Sequence, residues 1–235
     1  MHIHINTDFS LFPPYGLMIG LSFLAGAAGM YLLNIRRGIQ KNVARYLLLL
    51  LPLMSIFCGM GLTLITSGGK SSGLSSIGGL IGVYAAAVTM GLISPVKGDL
   101  RKMAETSTVM LPLMYSVSKV GCFLAGCCHG FPYDGILAVE YTGQNALDSA
   151  VFPVQAAETL AFLVIFLIGL RLYLRQKRYA VQTVFILSAM AKFALDFLRA
   201  SHIGVTVSMT QGLCLALAVI GTIWLMQCKR AIHNL

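Results

Sequence analysis

The sequence predicts an all-α membrane protein of seven transmembrane helices, with the N-terminus outside and the C-terminus in the cytoplasm. Three observations carry this reading. The 235 residues are 57% hydrophobic and 11% charged, with a mean hydropathy of +0.81, whereas a soluble domain carries about a quarter charged residues. Apolar runs near the length of a bilayer crossing recur along the whole chain. Lys and Arg gather in alternate connections, the pattern that cytoplasmic retention of positive charge produces.

Taken in order, the first apolar run, 15–35, opens at PPYG and stops before Arg36 and Arg37. Lys41 and Arg45 complete that basic connection and lead into 46–66. The polar, low-complexity loop TSGGKSSGLSS (66–76) precedes 76–96, and its Lys70 is the lone basic residue on the predicted outer side. Lys97, Arg101 and Lys102 follow, then 106–126. Residues 131–152 contain no Lys or Arg but hold Asp134, Glu140 and Asp148, which places them outside. The fifth run, 153–170, is short and must lean on its neighbours; Arg171, Arg175, Lys177 and Arg178 return the chain to the basic side. The runs 180–199 and 209–227 complete the set before Lys229 and Arg230. A single membrane domain over 1–235 accounts for the length.

These loops also explain the net charge of +9, so nucleic acid is excluded as a partner and the membrane is the expected one. The opening MHIHINTDFSLFPPYG lacks the basic residues of a cleavable signal. Gly78 to Gly82 and Gly126 to Gly130 show the small-xxx-small spacing that lets helix backbones touch, with plain packing the expectation for the first pair.

A few ionisable residues fall within the spans: Lys119 in the fourth, Glu158 in the fifth, and Lys192, Asp196 and Arg199 in the sixth. An unpaired charge at mid-membrane costs roughly 2.5–3.5 kcal/mol on insertion scales, so such residues face a polar interior and mark a site. The i, i+4, i+7 spacing of Lys192, Asp196 and Arg199 sets them on one helical face. A basic pocket with one or two carboxylates suits an anionic phospholipid headgroup. The plainer alternative pairs Lys192 with Asp196 and lets Arg199 snorkel to the interface.

The stretch KVGCFLAGCCHGFP (119–132) crowds Cys122, Cys127, Cys128 and His129 among glycines. It lacks the paired C-x₂-C spacing of a structural zinc site, so no metal or other cofactor is expected there. A reactive thiol pair, with Lys119 and His129 favouring the thiolate, is the sharper reading. Cys58, Cys214 and Cys228 sit singly in apolar runs as small hydrophobes.

Five ordered motifs resemble the bacterial prolipoprotein diacylglyceryl transferases. PPYGLMIGLSFLAG (13–26) resembles the family's opening span, with Tyr15 at its functional tyrosine, and GLSSIGGLIG (73–82) resembles its His-Gly-Gly segment. KVGCFLAGCCHG (119–130) aligns with the signature Arg-x-Gly-Asn-Phe-x-Asn-Gly-Glu-x-x-Gly. FPVQAAE (152–158) is similar to Pro-x-Gln-x-x-Glu, and KFALDFLR (192–199) to Arg-Phe-x-x-Glu-x-x-Arg. Several positions differ. Ile77 stands for the motif histidine, Lys119 for the signature arginine, Cys122 and Ala125 for its asparagines, and Cys127 for its glutamate. Lys192 and Asp196 stand for the later arginine and glutamate, while Tyr15, Gly121, Gly130, Glu158 and Arg199 match.

The resemblance implies a seven-span protein of the bacterial inner membrane. Such an enzyme moves diacylglyceryl from phosphatidylglycerol, or a related anionic phospholipid, to the cysteine thiol of a lipoprotein precursor. Lys119, Cys127, His129, Glu158 and Lys192 are then the candidate catalytic residues, with His129 assigned as base on its own chemistry. Tyr15, Gly121, Gly130, Asp196 and Arg199 are the candidate substrate-binding residues. Three alternatives stay open: a thiol-based reaction through Cys127 or Cys128 on another acceptor, soft-metal handling by the cysteines, or a catalytically inert lipid-binding relative.

Overall fold

The computed structural model describes residues 2–8, 13–70, 73–204 and 206–233. Ser71 and Ser72 of the polar loop, Phe9 to Phe12 of the opening stretch, and the side chains of Lys229 and Arg230 lie outside what is described. Seven α-helices occur among the described residues: α1 (Pro14–Arg36), α2 (Lys41–Thr66), α3 (Ser76–Ile93), α4 (Asp99–Leu124), α5 (Val154–Leu174), α6 (Ala180–Asp196) and α7 (Met209–His233). Each overlaps its apolar run, with ends that differ by up to seven residues, as at the start of α4. Six are long and apolar enough to cross a membrane. The helix α6, with 17 residues, falls outside that group because it stops at Asp196, before Arg199. Large apolar side chains such as Phe57, Ile65 and Leu92 are exposed, an outward greasiness suited to lipid rather than water.

The helices are not the whole structure. Two short strands, β1 (Ile3–Asn6) and β2 (Val139–Thr142), pair in parallel, with His4 opposite Glu140 and Ile5 opposite Tyr141. The alternation Ile-His-Ile-Asn turns Ile3 and Ile5 inward onto Val139, Tyr141 and Val151. An alternation of only four residues is too short to read as a strand without its partner, which lies more than 130 positions away.

The chain divides into two compact units, one of residues 1–22 and 112–235, the other of 23–111. In the second unit, α2 and α3 pack at backbone distance. A Cβ on Gly78 would strike the Cys58 carbonyl and the Gly59 Cα, and one on Gly82 would strike Met54 and Ser55 backbone. The packing expectation for this glycine pair therefore holds. In the first unit, α5, α6 and α7 pack in sequence, with Gly169 against Val184 and Gly221 against Ile186 and Phe185.

The other small-residue pair does something else. The fourth helix ends at Leu124, and Gly126 adopts φ +71°. Its amide donates to Phe123 O (3.4 Å) and that of Cys127 to Cys122 O (3.2 Å), the two bonds of a Schellman stop. Gly126 to Gly130 is thus a turn and a loop rather than a helix contact.

Candidate active site

The site lies wholly within the first unit, where α4, α5, α6 and the turn after α6 converge on one carboxylate. Glu158, one turn into α5, is fully buried. Lys119 Nζ lies 3.0 Å from its Oε2, and Lys192 Nζ donates to Oε1 at 2.8 Å. Arg199 Nη2 donates to both oxygens, at 2.8 and 3.0 Å. The Tyr115 hydroxyl adds a fifth contact, donating to Oε1 at 3.1 Å.

Burying an ion costs several kcal/mol, offset only when geometry is good and the lone pairs are satisfied. Glu158 meets that condition; the cations around it do not fully. Three cations face two carboxylates, Glu158 and Asp196, leaving one positive charge in excess. Asp196 sits 4.0 Å from Lys192 Nζ and 3.7 Å from Arg199 Nε, and accepts from the Ser208 hydroxyl at 2.7 Å. Buried Arg199 Nε has no hydrogen-bond partner among the described residues. An unsatisfied buried donor costs about 1–3 kcal/mol, which an incoming anion could recover.

Lys192 therefore has Glu158, not Asp196, as its close partner, and Arg199 turns inward instead of snorkelling. Arg199 also lies beyond the helix. Its backbone is extended and pairs with Gly130 as an isolated antiparallel bridge, so the i, i+4, i+7 face is not what brings it to the site. The loop after the Schellman stop is strapped on both sides: Gly130 N donates to Phe152 O (3.1 Å), Phe131 N to Leu198 O (3.2 Å), and Ala200 N to His129 O (3.2 Å). A Cβ at Gly130 would run into the Phe152 and Leu198 carbonyls. At Gly121 it would meet Met18 Cβ at 2.8 Å and Tyr15 Cα at 3.2 Å, so this glycine lets the start of α1 approach α4.

The half-buried His129 ring has Nδ1 3.0 Å from Gly130 O. A carbonyl only accepts, so Nδ1 carries a proton, and in the neutral ring Nε2 is the nitrogen with the free lone pair. Cys122, Cys127 and Cys128 bring their sulfurs within 4.8 Å of one another, and Tyr15 lies near them. Ile77, which stands for the motif histidine, belongs to the second unit and is exposed.

Two contributors escaped the sequence reading. Tyr115 precedes Lys119 by one helical turn, a spacing that could have flagged it, and also faces the ammonium groups of Lys119 and Lys192 at 5.1 and 5.8 Å from its ring centre. Gln155, buried, donates to Cys127 O at 2.8 Å and fixes the thiol loop. It lies inside the FPVQAAE motif but carries no charge to draw notice.

Six bilayer-length apolar helices and a buried, cation-rich ionic cluster define a multi-pass membrane protein with a polar interior site. The family model described as prolipoprotein diacylglyceryl transferase matches residues 5–227. The chain belongs to that family, a family of transferases. No curated protein matches it.

Proposed function

We propose that this protein transfers a diacylglyceryl group from phosphatidylglycerol, or a related anionic phospholipid, to the cysteine thiol of a lipoprotein precursor. The observation that carries the reading is the convergence of Lys119, Lys192 and Arg199 on the single carboxylate of Glu158, with one positive charge left over. The excess charge, and an Arg199 Nε that makes no hydrogen bond, suit a phosphate monoanion. Glu158, occupied by four donor side chains, is better placed to hold the cations in position than to take a proton.

His129 Nε2 is the base. It removes the proton of the acceptor thiol, and the sulfur attacks the glycerol carbon next to the phosphate. A carbon–sulfur bond forms, the carbon–oxygen bond breaks, and glycerol phosphate leaves with the bonding electrons. The three cations stabilise that leaving anion. Cys127 lies beside this site, but a thioether formed on it would be a poor leaving group, so the substrate supplies the acceptor thiol. Tyr15 borders the thiols, while Gly121 and Gly130 admit the close backbone approaches that shape the site.

Segregated Lys and Arg support an outward-facing site in the inner membrane, with 131–152 outside and α6 as a seventh, more polar crossing. The β1–β2 pairing fits this, since four helices separate the strands and an even number of crossings returns the chain to one side. Reporter fusions at Gln144 and Gln176 should give opposite compartment signals. Purified protein mixed with radiolabelled phosphatidylglycerol and a lipobox peptide should yield lipidated peptide; its absence would overturn the assignment.

A further inference from the structure

We propose that Cys122, Cys127 and Cys128 form a three-thiolate binding site for a soft metal cation, of which monovalent copper is the type ligand. All three are free thiols, and their Sγ atoms lie within 4.8 Å of one another. Metal–sulfur bonds of about 2.3 Å in a trigonal plane set the sulfurs roughly 4 Å apart, so small side-chain rotations close the site. Thiolates select soft cations over the hard magnesium and calcium ions.

The backbone builds this cluster from residues that a continuing helix would scatter. Gly126 and Cys128 both adopt left-handed conformations, at φ +71° and +56°. The Schellman stop turns Cys127 back over Cys122, and Gln155 anchors the Cys127 carbonyl. Asn145 Nδ2 holds the adjacent Ala125 carbonyl at 2.9 Å. A left-handed non-glycine residue costs roughly 1–2 kcal/mol, and at Cys128 that conformation accompanies the third sulfur of the set.

The electrostatics agree. Binding exchanges three S–H protons for three sulfur–metal bonds, with no change of oxidation state. The complex with a monovalent ion carries two negative charges beside a cluster with a positive excess. Cys128 is exposed and gives the ion a way in.

The test uses the full chain in detergent, reduced and desalted without air, titrated with Cd(II) alone and then with Cu(I). Cd(II) should saturate at one equivalent with ultraviolet thiolate charge-transfer absorption, and Cu(I) should displace it. Substitutions outside the ligand set of a metal site cost about 10–100-fold, so Cys122→Ser or Cys128→Ser should weaken binding about 100-fold or more. Cys58→Ser, in the other unit, should leave it unchanged. Serine at exposed Cys128 keeps the fold, so its titration stands even if Cys122→Ser misfolds. Unchanged Cd(II) affinity in Cys128→Ser, no saturable binding, or a disulfide among the three after alkylation in intact cells would each overturn the site.

Discussion

The helix pair α2–α3 and the ionic cluster on Glu158 are two ways of filling the interior of a membrane protein. At α2–α3 the chain removes side chains: Gly78 and Gly82 bring one backbone against Met54 to Gly59 of the other. Around Glu158 it inserts long, charged side chains from three directions. The first arrangement gains dispersion at every contact and tolerates no added atom. The second carries a large desolvation cost, offset only while every partner is present. Packing of the first kind serves stability. An excess of charge, as in the second, has no structural advantage, which is the ground for the proposed anionic substrate.

The largest effect expected from breaking this contrast is at Glu158. Glu158→Gln leaves three cations without their shared anion, which should lower stability by about 3–5 kcal/mol and abolish peptide lipidation. Thermal unfolding in detergent and the radiolabel assay read the two losses. A variant with normal transfer would show that the carboxylate is only structural.

Gly82→Val should cost stability without costing transfer. Its side chain would occupy the place of the Met54 carbonyl, destabilising the fold by about 1–3 kcal/mol. Transfer per folded molecule, measured well below the midpoint of unfolding, should be unchanged. A drop in that rate would mean that the glycine pair also shapes the site.

Asp196→Asn is a milder probe. The amide oxygen still accepts from Ser208, but Lys192 and Arg199 lose a charged neighbour at 4.0 and 3.7 Å, so stability should fall by about 1–3 kcal/mol. The cluster gains a positive charge, so KM for the anionic lipid should fall. An increased KM would assign Asp196 a direct contact with substrate.

The smallest effect is expected at the partly exposed edge of the strand pair. Glu140, on β2, accepts from His2 at 2.6 Å, and that bond holds its carboxyl below the usual carboxylate range. A lowered folded-state value means the contact stabilises above the ordinary value of about 4.3 and is lost as pH falls through the lowered one. Protection factors at Ile3 to Asn6, corrected for intrinsic exchange at each pH, should therefore fall only in acid. His2→Ala should produce the same loss of protection at neutral pH, with transfer unaffected.

The helices were legible because bilayer crossing needs length and apolarity, both local properties of a run. The strands were not, since β1 has only four residues and its partner lies beyond four helices. Lys119, Glu158, Lys192 and Arg199 stood out because charge in an apolar run has few innocent explanations. Tyr115 and Gln155, neutral and common within helices, gave no such signal.

By itself the sequence determined the succession of apolar helices, the family motifs and the set of groups available for chemistry. Only the tertiary structure decided which of them meet. It gave Lys192 to Glu158 rather than to its neighbour Asp196, brought Arg199 in through an extended segment, and closed three cysteines into one cluster around a left-handed turn. The reason is physical: hydrophobic length is written residue by residue, whereas an ion pair or thiol cluster depends on distances of about 3–5 Å that helix ends, glycine contacts and backbone turns set together.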